Sequence, residues 1–323
     1  MVDVLIPYPA QSLALPPGLD VHTWVGESTT TSGPELLTSA DTTGIPAQDV
    51  LDRVEFYVIP YGFAPPATNL IERMPKLRAV QTLTAGYEHV LPHLRDGLTL
   101  CNARGVHDAS TAELAVTLTL ASLRGIPEFV RAAPSGEWLQ AWYESLADKT
   151  VLVVGYGAIG RAIEARLRPF ECDVLAVART AREGVAGFES LPGLLGRADV
   201  VILICPLTDE TRGMVDARFL AAMRDGALLV NVARGPIVRT DALVEEVRAG
   251  RLRAAMDVTD PEPLPPGHPL WTLPGALISP HVGGLSSAFH PRAKRLVQSQ
   301  LTRLAAGEPL ANVVVGDPVG GEA

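Results

Sequence analysis

Short apolar runs alternate with Pro- and Gly-rich breaks through the first hundred residues. Val2-Asp3-Val4-Leu5-Ile6 predicts a strand stopped by Pro7, and Phe56-Tyr57-Val58-Ile59 a second stopped by Pro60. Leu70-Ile71-Glu72-Arg73-Met74 predicts a short helix ended by Pro75, because proline lacks the amide that a helix needs. Ala79-Val80-Gln81-Thr82-Leu83 predicts a third strand, followed by a turn at Ala85-Gly86. Such strand–helix alternation implies a small unit on a parallel sheet.

The pattern changes at about residue 110. From Ser110 to Phe129 there are few charges, which predicts a long, mostly buried helix capped by Ser110 or Thr111 and able to join two domains. Residues 150–280 then read as a second α/β unit. Its predicted strands are 150–154, 174–177, 200–204, 227–232, 254–257 and 276–278, apolar throughout, as in a parallel sheet covered on both faces. Ala293, Leu296, Val297, Leu301 and Leu304 recur at helical spacing and predict a helix over 286–306; residues 316–323 are expected to fray.

Composition narrows the function classes. The chain has 323 residues, 47% hydrophobic and 20% charged, enough for a sizeable core and about two domains. A net charge of −9 speaks against nucleic-acid binding and against docking on an anionic membrane. No apolar run approaches the roughly 20 residues of a membrane span. Met1–Pro7 has neither a basic region nor a long apolar stretch, so no signal peptide is expected and a cytoplasmic location is the default. Cys101, Cys172 and Cys205 are widely spaced and odd in number, which predicts neither a disulfide framework nor a metal site.

Gly155-Tyr156-Gly157-Ala158-Ile159-Gly160 is a G-x-G-x-x-G that follows the predicted strand Val151–Val154 and opens an amphipathic helix predicted from Arg161 to Leu167. That context makes it a dinucleotide fingerprint. Gly155 serves a tight turn, Gly157 a close approach of pyrophosphate to backbone, and Gly160 close helix–strand packing. The helix N-terminus, at Ala158 and Ile159, offers amides to the phosphates. At the end of the next strand, where a carboxylate would hold the ribose hydroxyls of NAD, stands Ala178, followed by Arg179 and Arg182. Loss of the carboxylate and gain of arginines points to the 2′-phosphate of NADP(H); surface arginines are the other reading.

Arg234, Glu262 and His281 follow later strands, in Asn231-Val232-Ala233-Arg234-Gly235, Asp257-Val258-Thr259-Asp260-Pro261-Glu262-Pro263 and Ser279-Pro280-His281-Val282-Gly283-Gly284. With Pro206-Leu207-Thr208-x-x-Thr211, these motifs resemble, in order, the D-isomer-specific 2-hydroxyacid dehydrogenase family. The stretch 257–270 is most similar to its glyoxylate/hydroxypyruvate reductase branch.

The resemblance implies an α/β protein of two Rossmann-like domains with parallel sheets and an active site in the interdomain cleft. The substrate domain is expected to be discontinuous, residues 1–104 and 285–323, with the NAD(P) domain at 105–284. The expected reaction is NADPH-dependent reduction of a small 2-keto acid to the D-2-hydroxy acid. Arg234 is expected to bind substrate, His281 to supply the proton and Glu262 to keep it charged. Ala85 and Gly86 are expected to offer backbone amides to the substrate. Cys205, Pro206, Thr208, Thr211, Val232, Ala233, Asp257, Gly283 and Gly284 are expected beside the cofactor, with Asp257 alternatively a strand-end cap. The resemblance also implies a homodimer built through the cofactor domain.

Glu88 departs from the Asp usual in the family, and residues 134–148 match it poorly. Tyr61 reads either as lining the substrate pocket or as an exposed loop tyrosine. A phosphite or formate dehydrogenase relative and a nucleotide-sensing corepressor are the rival readings. Formate dehydrogenases lack a glutamate matching Glu262, and no partner-binding tail is visible.

Overall fold

Two parallel-strand sheets organise the chain, and the computed structural model describes residues 1–24, 44–62, 66–317 and 319. The chain divides into two units, residues 1–107 with 287–323, and residues 108–286.

In the first unit, β1 (Val2–Ile6), β2 (Leu19–Thr23), β3 (Phe56–Val58), β4 (Ala79–Gln81) and β5 (Thr99–Cys101) pair in parallel in the order β5-β4-β3-β1-β2. Alternate side chains go to opposite faces, as strand geometry requires. Leu5, Tyr57, Val80 and Leu100 face one cluster with Leu70, Ile71 and Met74. Val4, Ile6, Phe56, Val58 and Cys101 face the other, covered by Phe289, Ala293, Val297 and Leu301 of the returning helix Phe289–Ala305.

In the second unit, β6 (Thr150–Val154), β7 (Asp173–Ala178), β8 (Ala186–Gly187), β9 (Val200–Leu203), β10 (Leu228–Asn231), β11 (Arg253–Met256) and β12 (Ala276–Ile278) form one sheet. Its order is β12-β11-β10-β9-β6-β7-β8, and every pair is parallel. Val151 and Val153 face the helix Asp108–Leu123, while Leu152 and Val154 face the opposite core. The chain leaves β6 toward β7 and β8 on one side, then crosses to β9 through β12 on the other. That reversal opens a crevice at the carboxyl ends of β6 and β9, the position where such sheets bind ligands. A last strand, β13 (Val313–Val315), returns antiparallel to β5.

Four sequence expectations need correction. The long helix starts at Asp108, so Ser110 and Thr111 lie buried inside its first turn and do not cap it. Their hydroxyls are used elsewhere, Ser110 with Ser286 at 2.6 Å and Thr111 to the Gly283 carbonyl at 3.2 Å. The helix also ends at Leu123 and does not run to 129; Gly125 (φ +66°) breaks it, and a second helix spans Ile126–Ala132. The helix expected at 70–74 is a 3-10 turn, Leu70–Arg73, continuing the short helix Pro66–Asn69. Within the segment expected to fray, Gly316 and Asp317 pack on the first unit, where Thr99 donates to the Asp317 carbonyl. Most of the rest of that segment lies outside the described residues.

Candidate active site

The glycine loop follows β6 and meets the loop after β9. Gly155 has φ +106°, and a Cβ there would lie 2.5 Å from the Cys205 amide nitrogen and the Ile204 carbonyl carbon. Gly160 sits in the first turn of the helix Ala158–Leu167, where a Cβ would lie 2.3 Å from the Gly155 carbonyl oxygen. Gly157, the N-cap residue of that helix, is different: a Cβ there would meet nothing within 4 Å. Two glycines close the turn and the third leaves backbone open at a helix N-terminus. This cradle fits a pyrophosphate.

The surrounding residues shape that cradle. Ala178 ends β7, and Arg179 and Arg182 follow it on the exposed surface. Arg182 folds back, donating to the Tyr156 carbonyl at 2.6 Å with its guanidinium over the Tyr156 ring. Its position is therefore tied to the glycine loop, whereas Arg179, directly after the strand, is exposed. Cys205 is buried, which pushes its thiol pKa up to about 11, so it enters as an inert wall. Thr211 is buried too. Its hydroxyl donates to the Pro206 carbonyl at 2.7 Å and accepts the Thr208 amide at 2.8 Å, so it shapes the 206–211 loop from within.

The catalytic candidates converge at the carboxyl ends of β10, β11 and β12. Asn231 ends β10 and ties its own loop, accepting the Ala233 amide and donating to the Arg234 carbonyl, each at 3.0 Å. Gly235 lets this loop touch the next one; a Cβ there would lie 1.8 Å from the Thr259 carbonyl oxygen. The contact brings Arg234 beside the segment that carries Glu262.

His281 has φ +54°, a left-handed geometry that costs a non-glycine residue about 1 kcal/mol or more. Asp257, buried just beyond β11, holds it there. Its carbonyl accepts the His281 amide at 2.8 Å. Its carboxylate accepts Ser279 Oγ at 2.6 Å and the amides of Val282 and Gly283 at 2.9 Å. The imidazole Nδ1 of His281 bonds the Glu262 carboxylate, leaving Nε2 as the outward nitrogen. That bond raises the His281 pKa above its ordinary value; burial opposes the shift, the charges of Glu262 and Asp257 add to it, and Arg234 nearby subtracts from it. A charged, oriented imidazole beside a guanidinium can donate a proton to an oxygen on which negative charge develops.

Arg234, Glu262, His281 and Asp257 are thus brought together within the second unit. Ser279 and Asn231, which sequence reasoning missed, are loop ties within the motifs that carry His281 and Arg234; a hydroxyl or amide beside a buried acid or sharp turn is the signal that marks them. In the first unit, the carbonyls of Thr84 and Ala85 are taken by Ala103 N at 2.9 Å and Asn102 Nδ2 at 2.8 Å. In a planar trans peptide the following amide points the opposite way. The N–H groups of Ala85 and Gly86 are therefore turned out together from that side. Tyr61 is not an exposed loop residue: it packs on Phe289 (4.4 Å between centroids) and His107 (5.7 Å). Among the described residues, Asp3, Asp20 and His22 cluster at the β1–β2 edge, where Arg53 and His22 already pair with Asp3. No helix among the described residues is long and apolar enough to cross a membrane.

Comparison with known proteins gives a consistent result. Residues 116–283 match the model for the D-isomer specific 2-hydroxyacid dehydrogenase, NAD binding domain. Human glyoxylate reductase/hydroxypyruvate reductase is 33% identical over 249 residues, covering 72% of this chain and 76% of its own. The glyoxylate reductase of Pyrococcus horikoshii is 33% identical over 257 residues, 74% of this chain and 77% of its own. Among solved structures, a D-isomer specific 2-hydroxyacid dehydrogenase from Xanthobacter autotrophicus Py2 in complex with NADPH and MES superposes with a TM-score of 0.74. It is 30% identical, covering 97% of this chain and 98% of its own.

Proposed function

The chain belongs to the D-isomer-specific 2-hydroxyacid dehydrogenases, an oxidoreductase family, and from that premise we propose that it reduces a small 2-keto acid of the glyoxylate or hydroxypyruvate type with NADPH. The observation that carries this reading is the His281–Glu262 bond beside Arg234, on a loop held by Asp257.

The bound nicotinamide would supply a hydride to the keto carbon. Arg234 holds the carboxylate and the carbonyl oxygen with a permanent cation. In the first unit, the outward N–H groups of Ala85 and Gly86 are candidate donors for an anion. His281, charged because Glu262 stabilises the imidazolium, gives its Nε2 proton to the developing alkoxide. Glu262 keeps the ring in the productive tautomer while the proton leaves. In the reverse direction neutral His281 takes the hydroxyl proton.

Gly155, Gly157, Gly160 and the amides of Ala158 and Ile159 would hold the pyrophosphate. Pro206, Thr208, Val232, Ala233, Gly283 and Gly284 line the rest of the cofactor's path, and Asp257, its carboxylate taken by Ser279 and the Val282 and Gly283 amides, serves instead to hold the loop at the strand end. Ala178 places no carboxylate against a 2′-phosphate, and Arg179 with Arg182 supplies the positive charge for it. The NADPH bound in the Xanthobacter relative favours the same choice. Assembly as a homodimer belongs to this reading. A spectrophotometric comparison of NADPH with NADH, offering glyoxylate, hydroxypyruvate, pyruvate and an aromatic keto acid, tests it: faster loss of NADPH with the small acids is expected. Equal rates with NADH would remove the role given to Arg179.

A further inference from the structure

Tyr156 stands between two glycines of the cradle, and no step of the proposed function uses its side chain. The side chain turns back along the helix Ala158–Leu167. A Cβ at Gly160 would lie 3.5 Å from its Cδ2, and its phenol donates to the Glu164 carboxylate one turn further on. The ring is half-buried against the cluster that includes Val153 and Ile163. Packed along its body and bonded at its tip, it is a fixed platform beside the glycine loop.

Arg182 rests on that platform. Its guanidinium lies over the ring, 5.7 Å from the centroid, and donates to the carbonyl of the same residue at 2.6 Å. The Arg182 backbone is fixed separately. It exchanges two hydrogen bonds with Val185, at 2.9 and 2.8 Å, around the turn Glu183-Gly184, where Gly184 has φ +71°. An exposed arginine otherwise samples many rotamers, and ordering it at the moment of binding weakens affinity.

The contact also keeps the cation uncompensated. A carbonyl and a ring face hold a guanidinium without neutralising it, whereas a carboxylate would compete with a phosphate for the same donors. Glu164, at the far end of the tyrosine, is engaged by the phenol and by Arg168 at 2.7 Å. Among the described residues Arg182 pairs with no carboxylate. One donor goes to the carbonyl, and the rest of the fork stays available to a ligand.

We propose that Tyr156 is a positioning residue that presents Arg182 to the 2′-phosphate of NADPH and so shares in the choice between the two nucleotides; the inference rests on the NADPH reading of the site. The ring acts through its face, and the phenol anchors the ring. NADH carries a hydroxyl where NADPH carries the phosphate, so loss of the ring should weaken NADPH and spare NADH.

Isothermal titration calorimetry of both nucleotides on the full chain tests this, with wild type, Tyr156→Phe, Tyr156→Leu, Arg182→Ala and the Tyr156→Leu/Arg182→Ala double variant. The wild type should bind NADPH more tightly than NADH. Tyr156→Leu keeps the carbonyl and the apolar bulk but removes the ring face. It should weaken NADPH about fivefold, the scale of an exposed cation–ring contact, and NADH less than about twofold. Tyr156→Phe keeps the face and should retain at least about half of the wild-type preference. In the Arg182→Ala background, Tyr156→Leu should bring no further loss of preference, because the ring acts through the arginine. Circular dichroism checks each fold, and Tyr156→Met replaces the leucine variant should that one not fold. Equal losses of both nucleotides in Tyr156→Leu, or a full further loss of preference in the Arg182→Ala background, would overturn the inference and leave the NADPH reading standing. A wild type that binds the two nucleotides equally would overturn both.

Discussion

The backbone amide of His281 donates to the carbonyl of Asp257 at 2.8 Å, while the Asp257 carboxylate takes the amides of the next two residues. A buried acid at the end of one strand thus holds the loop after the next strand, and with it the left-handed geometry of His281. Asp257→Asn puts a donor where three donors already converge. The loop should loosen and kcat should fall by about 10- to 100-fold, with NADPH affinity changing much less. Steady-state kinetics with a binding isotherm checks this. Equal loss of both would make Asp257 chiefly a cofactor contact.

Glu262 controls when His281 holds its proton. Because the bond raises the His281 pKa, reduction should be fast below the raised value and decline as pH climbs through it. The reverse oxidation should rise over the same interval, since it needs the neutral ring. In Glu262→Gln the falling limb of the reduction profile should move to lower pH, toward about 6.5. A profile of kcat/KM against pH for both enzymes is the measurement. An unmoved limb would mean that Glu262 does not set the titration.

Two glycines of one motif should fail in different ways. Gly160→Ala pushes a methyl against the Gly155 carbonyl and should cost about 2–3 kcal/mol of stability. Gly157→Ala has open space and should leave stability within about 0.5 kcal/mol. Its methyl would instead stand in the pyrophosphate's approach, so NADPH binding should weaken at least about tenfold. Chemical denaturation and a binding titration on both variants separate the two effects.

Much of the second unit was legible because a parallel sheet covered on both faces writes each strand as an apolar run. Leu228–Asn231 and Ala276–Ile278 stand out without help from tertiary contacts. The helix start was misread because Asp108, Ser110 and Thr111 are all good capping types, and only packing shows which one opens the helix. The loop ties around His281 were hidden for a related reason. Asp257, Ser279 and Gly283 meet only when β11 and β12 lie side by side. The bare surface at Trp138 and Trp142 ran against the ordinary expectation that large aromatics are inside, so no periodicity announced it.

The proposed preference for NADPH is tested more cleanly at Arg179 than at Arg182, whose guanidinium also supports the glycine loop through Tyr156. Arg179→Ala should lower the NADPH-to-NADH ratio of kcat/KM about tenfold with little change for NADH, consistent with loss of one phosphate contact. Parallel assays with the two nucleotides decide it; equal losses with both would remove the 2′-phosphate role.

The most direct test follows NADPH absorbance with hydroxypyruvate or glyoxylate for the wild type and His281→Gln. The wild type should oxidise NADPH with both acids. The variant should bind NADPH as tightly and lose about a thousandfold or more in kcat. A variant that keeps the wild-type rate, or a wild type that binds NADPH and reduces neither acid, would contradict the account.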